Sequence, residues 1–293
     1  MNLFSKIYKN NYKALLIIPF LLLVLAIGQI SYQMATTGDF INKGVSLKGG
    51  LTITIPYNDV SAPDLQTHLQ SKFAEADIHV RALSISGTNT GVIVDADITK
   101  AEEIAAVLES LQEKTGDLNS DEFTIENVGS SLGESFFRDT IKAMIFAFIL
   151  MGIVVFYYFR IPIPSLAVIL AAFSDIVVSI AVVNLMGIKI STGGIAAFLM
   201  LIGYSVDTDI LLSTRVLKRH EGTVLDRVYN AMKTGLTMNF TTMAAILVAL
   251  VMTTSPVLEQ IMTILLIGLF IDIINTWIQN AGILRWYMEK KNV

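Results

Sequence analysis

"LIGYSVDTDILL", residues 201–212, sets two carboxylates, Asp207 and Asp209, into a run that otherwise reads as a membrane helix. Two further acids, Asp175 and Asp272, fall near the middle of apolar runs of their own. An ionised Asp at a helix centre costs about 2.5–3.5 kcal/mol on the insertion scale, so three of them facing lipid would cost roughly 8–10 kcal/mol. Such a sequence is tolerable only if several helices pack together and turn their acids inward. The fold expected is therefore a polytopic helical bundle, with Asp175, Asp207 and Asp272 sharing one layer of it.

Composition agrees. Of 293 residues, 53% are hydrophobic and 16% charged, and the mean hydropathy of +0.62 places the chain among membrane proteins. There is no cysteine, which excludes disulfides, thiol catalysis and thiolate ligands. The three histidines, His68, His79 and His220, show no metal-ligand spacing, and no metal or other cofactor is expected. Six stretches approach the roughly 20 apolar residues a spanning helix needs: 14–32, 140–159, 166–185, 195–213, 236–254 and 260–279. The first follows Lys6, Lys9 and Lys13 but is longer than a signal-peptide core and lacks a cleavage pattern, so it reads as a retained anchor.

Lys and Arg near helix ends stay cytoplasmic. Arg160, Arg215, Lys218, Arg219, Arg227, Lys233, Arg285, Lys290 and Lys291 share a side with the N-terminal lysines, whereas the two short loops opposite carry only Lys189. This predicts a plasma-membrane protein with both termini cytoplasmic. It divides into an N-terminal segment with its first helix (1–34), an external α+β domain (35–137), and helices 2–6 (138–293) with a cytoplasmic loop at 214–235. Residues 35–139 hold 17 Asp and Glu against 7 Lys and Arg. An acidic outer domain is a poor partner for nucleic acid. The basic loop reads as the positive-inside signal, with anionic membrane lipid as a contact it could also serve.

Within the external domain, "LTITIPY" (51–57), "IHVRALSI" (78–85), "GVIVDADI" (91–98) and "EFTIENV" (122–128) read as strands, with Gly87 and Gly91 bounding the middle turn. "SAPDLQTHLQSKFAEA" opens on a cap residue, Ser61, with a proline in its first turn, and reads as helix; "TKAEEIAAVLESLQEKTG" reads as a second helix ended by Gly116. The order β-α-β-β-α-β is that of a ferredoxin-like sandwich.

Helical spacing sharpens the membrane part. Asp272, Asn275, Thr276 and Gln279 stand at i, i+3, i+4 and i+7 and form one polar stripe. Asp207 and Asp209 are about 200° apart around a helix and cannot face the same neighbour; Asp209 shares its face with Ser205 and Ser213, with Arg215 nearby. Gly203 lies a turn before Asp207, where a neighbour could approach closely, and Thr237 and Thr241 give the fifth helix a hydroxyl edge. Desolvation favours the neutral form of a carboxyl. With no mid-span cation to pair them, Asp207, Asp175, Asp272 and Asp209 are candidates for a proton relay. The alternative is that they are hydrogen-bonded glue between helices.

Other signals carry less. "GSSLG" (129–133) matches G-x-S-x-G, but no catalytic histidine follows it, and it reads as a hinge before the second helix rather than a hydrolase elbow. No phosphate-binding loop is present.

Three motifs in order, "GVSLKGG" (44–50, with Gly49 and Gly50), "VGSSLGESF" (128–136) and "GYSVDTDILLSTRVLK" (203–218, with Gly203, Tyr204, Ser205 and Arg215), resemble the SecF branch of the SecD/SecF protein-export family, of the archaeal type. That family belongs to the resistance-nodulation-division superfamily. The resemblance implies a non-enzymatic accessory subunit of the Sec pathway, with SecD as partner, the Sec translocon channel alongside and an exported polypeptide as substrate. It also implies that ion-gradient coupling such as the proton motive force drives the cycle, and it points to Asp207 as the carrier. Bacterial members read G-Y-S-x-N-D, which puts their acid where Thr208 stands here, and carry an Arg near the fifth helix where the nearest cation is Lys233. A structural scaffold without coupling, or half of a small-molecule exporter, are the rival expectations.

Overall fold

The computed structural model describes residues 8, 11–56, 61–74, 76–85, 88–115, 123–219, 221–253 and 255–291. Lys6, Lys9, Tyr57, Gly87, Gly116, His220 and Thr254, all used above, fall outside them.

Six helices are long and apolar enough to cross a membrane. They are α1 (Tyr12–Thr37), α5 (Ser130–Phe159), α6 (Pro162–Leu185), α7 (Thr192–Lys218), α8 (Val224–Met252) and α9 (Pro256–Lys290). Five of them contain their expected span and extend it, whereas α8 starts before residue 236 and ends at Met252, short of the expected 254. α7 runs through Lys218 and α8 starts at Val224, so much of the expected loop 214–235 is helical and residues 219–223 alone connect the two. A Thr223–Asp226 capping box stabilises that early start. Most of the expected hinge at 129–133 is also helical: Gly129 is the extended cap, Ser130 begins α5, and Gly133 is buried in its first turn. Within α9 the residues Asn275–Asn280 adopt a π-helical turn, which no periodicity argument anticipated.

α6, α7 and α9 form the centre of the bundle, with Val168, Ala172, Phe198, Leu201, Ile264 and Leu269 among the buried apolar residues between them. α1, α5 and α8 are peripheral and present Leu21, Val24, Phe146, Val154, Phe240 and Val251 outward, as lipid-facing helices must.

Between α1 and α5 the chain builds a separate α+β unit: a four-residue helical turn α2 (Val45–Lys48), then β1 (Gly50–Pro56), α3 (Ala62–Lys72), β2 (Ile78–Ile85), β3 (Thr88–Ala96), α4 (Ala101–Thr115) and β4 (Thr124–Val128). The strands form one antiparallel sheet in the order β2-β3-β1-β4. Gly91 pairs inside β3, with Pro56 and Leu83, rather than bounding the turn. One face of the sheet, carrying Leu51, Ile53, Ile55, Val92 and Val94, is buried with Leu65 and Leu69 of α3 and Val107 and Leu111 of α4.

Candidate functional site

The inner faces of α6, α7, α8 and α9 meet in a polar layer sealed from solvent. Asp175, Ser205, Asp209, Asp272, Thr276, Gln279 and Asn280 each have 0% of their surface exposed. α6 contributes Asp175, which accepts from Ser205 Oγ of α7 and, at 2.8 Å, from Asn275 Nδ2 of α9. Asp272 accepts from Asn239 Nδ2 of α8 at 2.9 Å and lies against Ser205 and the Asp175 carboxyl. The Thr276 hydroxyl sits 3.0 Å from Asp272 Oδ1 and 3.0 Å from Asp209 Oδ1, bridging the two acids. Asp209 Oδ1 also accepts from Asn280 Nδ2 at 2.7 Å. Gln279 reaches Ser174 at 3.2 Å.

Every donor named to these carboxyls is a hydroxyl or an amide. The buried guanidinium of Arg227 is engaged elsewhere, on the carbonyls of Val216 and Arg219. Among the described residues, Asp209 Oδ2, Ser213 Oγ and Asn280 Oδ1 find no hydrogen-bond partner.

The sequence-derived stripe Asp272–Asn275–Thr276–Gln279 is brought together as expected, and so is the face Ser205–Asp209–Ser213. Asp207 is not in the layer. It is exposed, and the acid that joins Asp175 and Asp272 is Asp209, because residues two apart on a helix face nearly opposite ways. Gly203 and Tyr204 lie on the exposed side with Asp207, and a Cβ on Gly203 would meet nothing within 4 Å. Arg215 does not reach Asp209; it donates to Asn230 O at 2.7 Å. Thr237 and Thr241 are exposed and bond back to their own helix, and the polar group of α8 that reaches the layer is Asn239. The signal for Asn239 was its place as a lone amide near the middle of α8. Asn280 was hidden by the π-helical turn, in which i and i+5 pair, whereas a 3.6-residue period does not align them.

Gly49 and Gly50 lie at the neck between α2 and β1, with φ of +90° and +133°. A Cβ on Gly49 would stand 2.4 Å from Ser130 Cα, and one on Gly50 would stand 2.4 Å from Ala96 O. The first and second motifs therefore meet in space, the neck crossing the first turn of α5 in direct backbone contact.

Residues 107–290 match the model for the C-terminal region of the protein-export membrane proteins SecD and SecF. The chain is 39% identical over 280 residues to "Protein-export membrane protein SecF" of Pyrococcus furiosus, covering 95% of this chain and 92% of that one. It is 39% identical to the protein of the same name from Methanocaldococcus jannaschii, covering 96% of this chain and 97% of the other. This chain belongs to the SecD/SecF family. Among solved structures, SecDF of Thermus thermophilus, described as a translocon-associated membrane protein, superposes with a TM-score of 0.72 at 21% identity. That match covers 94% of this chain and 38% of SecDF, so this SecD/SecF member has the fold of a little over a third of the longer protein.

Proposed function

We propose that this chain is an accessory subunit of the Sec protein-export machinery, acting with SecD beside the Sec channel to assist polypeptide translocation. We further propose that Asp175, Asp209 and Asp272 carry the proton that couples the cycle to an ion gradient. The names of the relatives support the first part. The observation that carries the second is the Thr276 bridge. A hydroxyl has one hydrogen to give, yet Thr276 Oγ1 lies 3.0 Å from an oxygen of each of two carboxyls. Both contacts are attractive only if one carboxyl brings a proton of its own. A site built to hold one proton between two acids, with hydroxyls and amides linking it to Asp175, is a site that can load and release one. Each proton crossing supplies about 2.3 kcal/mol per 100 mV, enough to bias a conformational equilibrium of a few kcal/mol.

Asp207 supports the partnership. An ionisable group on the outer surface of a spanning helix is not left against acyl chains, and the surface around it includes the bare Cα of Gly203. A second membrane subunit covering that face, SecD in this reading, hides the charge and makes Asp207 an acid of the shared interface.

The α+β unit is read as an external domain of about 35–137 with a ferredoxin-like fold, flanked by 1–34 and 138–293; the strand order β2-β3-β1-β4 supports the fold. Basic residues gathered at the bundle end away from that unit support cytoplasmic termini in the cell membrane. The layer requires no covalent catalysis and no cofactor.

In intact cells, Asp209→Asn and Asp272→Asn should each lower gradient-dependent export about a hundredfold, the scale of a positioned proton carrier, while SecD still co-purifies in mild detergent. Undiminished export with the complex assembled would overturn the relay and leave a scaffold. Absence of SecD from the purified material would remove the partner.

A further inference from the structure

The helix-free face of the sheet stands over a groove of about 320 Å³, roofed by β1 and β4 and floored by the outer ends of α7 and α9. Thr52 and Thr54 point into it from β1, because alternate residues of a strand face opposite sides and Leu51, Ile53 and Ile55 are committed to the core. We propose that this groove binds an extended stretch of the exported polypeptide through its main chain. The proposal rests on the export reading above and names the place where that substrate is held.

The lining chemistry selects the occupant. Arg81 and Lys189 face Asp95 and Glu126, so neither sign prevails, and three of these four charges are already paired: Arg81 with Asp95 at 3.4 Å, and Lys189 with Asp77 at 3.3 Å. A balanced groove has no field to draw in an anionic lipid headgroup or a nucleic acid. What remains is a set of hydroxyls on both walls, Ser46, Thr54, Thr124, Thr192 and Ser255, each able to donate and to accept. Val128, Pro256 and Val257 supply short apolar surfaces between them. Alternating donors and acceptors with small apolar patches match a polypeptide backbone and tolerate varied side chains. β4 pairs only with β1 among the described strands, so its other edge lies beside the groove as a further row of main-chain partners.

The floor is tied to the proton layer. Gln260 of α9 accepts from Ser191 N at 2.9 Å and from Ser191 Oγ, and donates to Lys189 O at 2.6 Å. The same helix carries Asp272, Asn275 and Thr276 three turns further on. The loop that Gln260 holds also pairs with the chain leading into the α+β unit: Ile190 N donates to Asn42 O at 2.6 Å, and Gly44 N to Ile190 O at 2.8 Å. Gln260 thus ties α9, the floor of the groove and the entry to the α+β unit into one hydrogen-bonded unit.

The chain has no cysteine, so single replacements report cleanly. Thr124→Cys and Thr54→Cys on the roof and Ser255→Cys on the floor, each carrying a benzophenone, are placed in the full-length protein in its native membranes with a stalled export substrate. Glu102→Cys on α4, across the sheet, is the control. Adducts to the substrate from the groove positions, absent from the control and lost when the substrate is released, are expected. Adducts only to lipid or to SecD, or equal labelling from all positions, would overturn the groove. Export is measured in parallel: groove variants that sustain export without substrate adducts sink this proposal alone, whereas unchanged export in cells lacking the protein sinks the reading beneath it.

Discussion

Asp207 and Asp209 have one residue between them and live in different worlds: one is sealed among hydroxyls and amides, the other faces out from the bundle. The angular step of the α-helix decides this, and the sequence states the separation without saying which of the two is inside. Backbone geometry decides as much at Gly49, whose positive φ and contact with Ser130 leave no place for a side chain. Gly49→Ala should cost about 1–3 kcal/mol, the scale of a residue forced into a sparsely populated conformation, seen as a lowered thermal midpoint in detergent. Gly28→Ala in α1, where a Cβ meets nothing within 4 Å, should stay within about 0.5 kcal/mol of the parent. Equal losses would mean that the neck is not constrained.

Among the elements, α9 departs furthest from its sequence pattern. Its polar stripe was legible because four polar residues recur at helical spacing in an apolar run. The π-helical turn that adds Asn280 was not legible, since a wider turn depends on what packs against it. Trp277, within that turn, lies over Gly235 of α8, where a Cβ would stand 2.3 Å from its Cζ2. Small residues at such crossings allow two helices to approach. Gly235→Leu should push α8 away from α9 and cost about 1–3 kcal/mol through overpacking, with Trp277 fluorescence shifting as its surroundings loosen. An unchanged midpoint and spectrum would show that the crossing yields easily. The separation would also draw Asn239 away from Asp272, so export should fall with stability.

Across the whole molecule, the α+β unit and the bundle are joined by the bonds of Asn42 and Gly44 to Ile190 in the α6–α7 loop and by the Lys189–Asp77 pair. Burial alone would raise the Asp77 carboxyl, but the charge of Lys189, followed by those of His79 and Lys48, holds it below its ordinary value of 3.8. A carboxyl held low stabilises its contacts above that value and releases them as pH falls through the lowered one. Spin labels at Glu109 and Met186 should therefore keep a narrow distance distribution at neutral pH and broaden only in strong acid. Lys189→Ala should broaden it at neutral pH already; a distribution indifferent to both changes would show that the pair does not hold the unit. The sequence by itself determined that the chain has six helices long and apolar enough to span a membrane, that an α+β unit lies between the first two, and that acids sit near the middle of apolar helices. Those features are local, because length, period and composition are read along the chain. Only the tertiary structure decided which acid is inside, which hydroxyl bridges two carboxyls, and that the Gly-Gly neck meets the start of α5. Such contacts join residues far apart in the chain, and each depends on how neighbouring helices are rotated, which no single segment encodes.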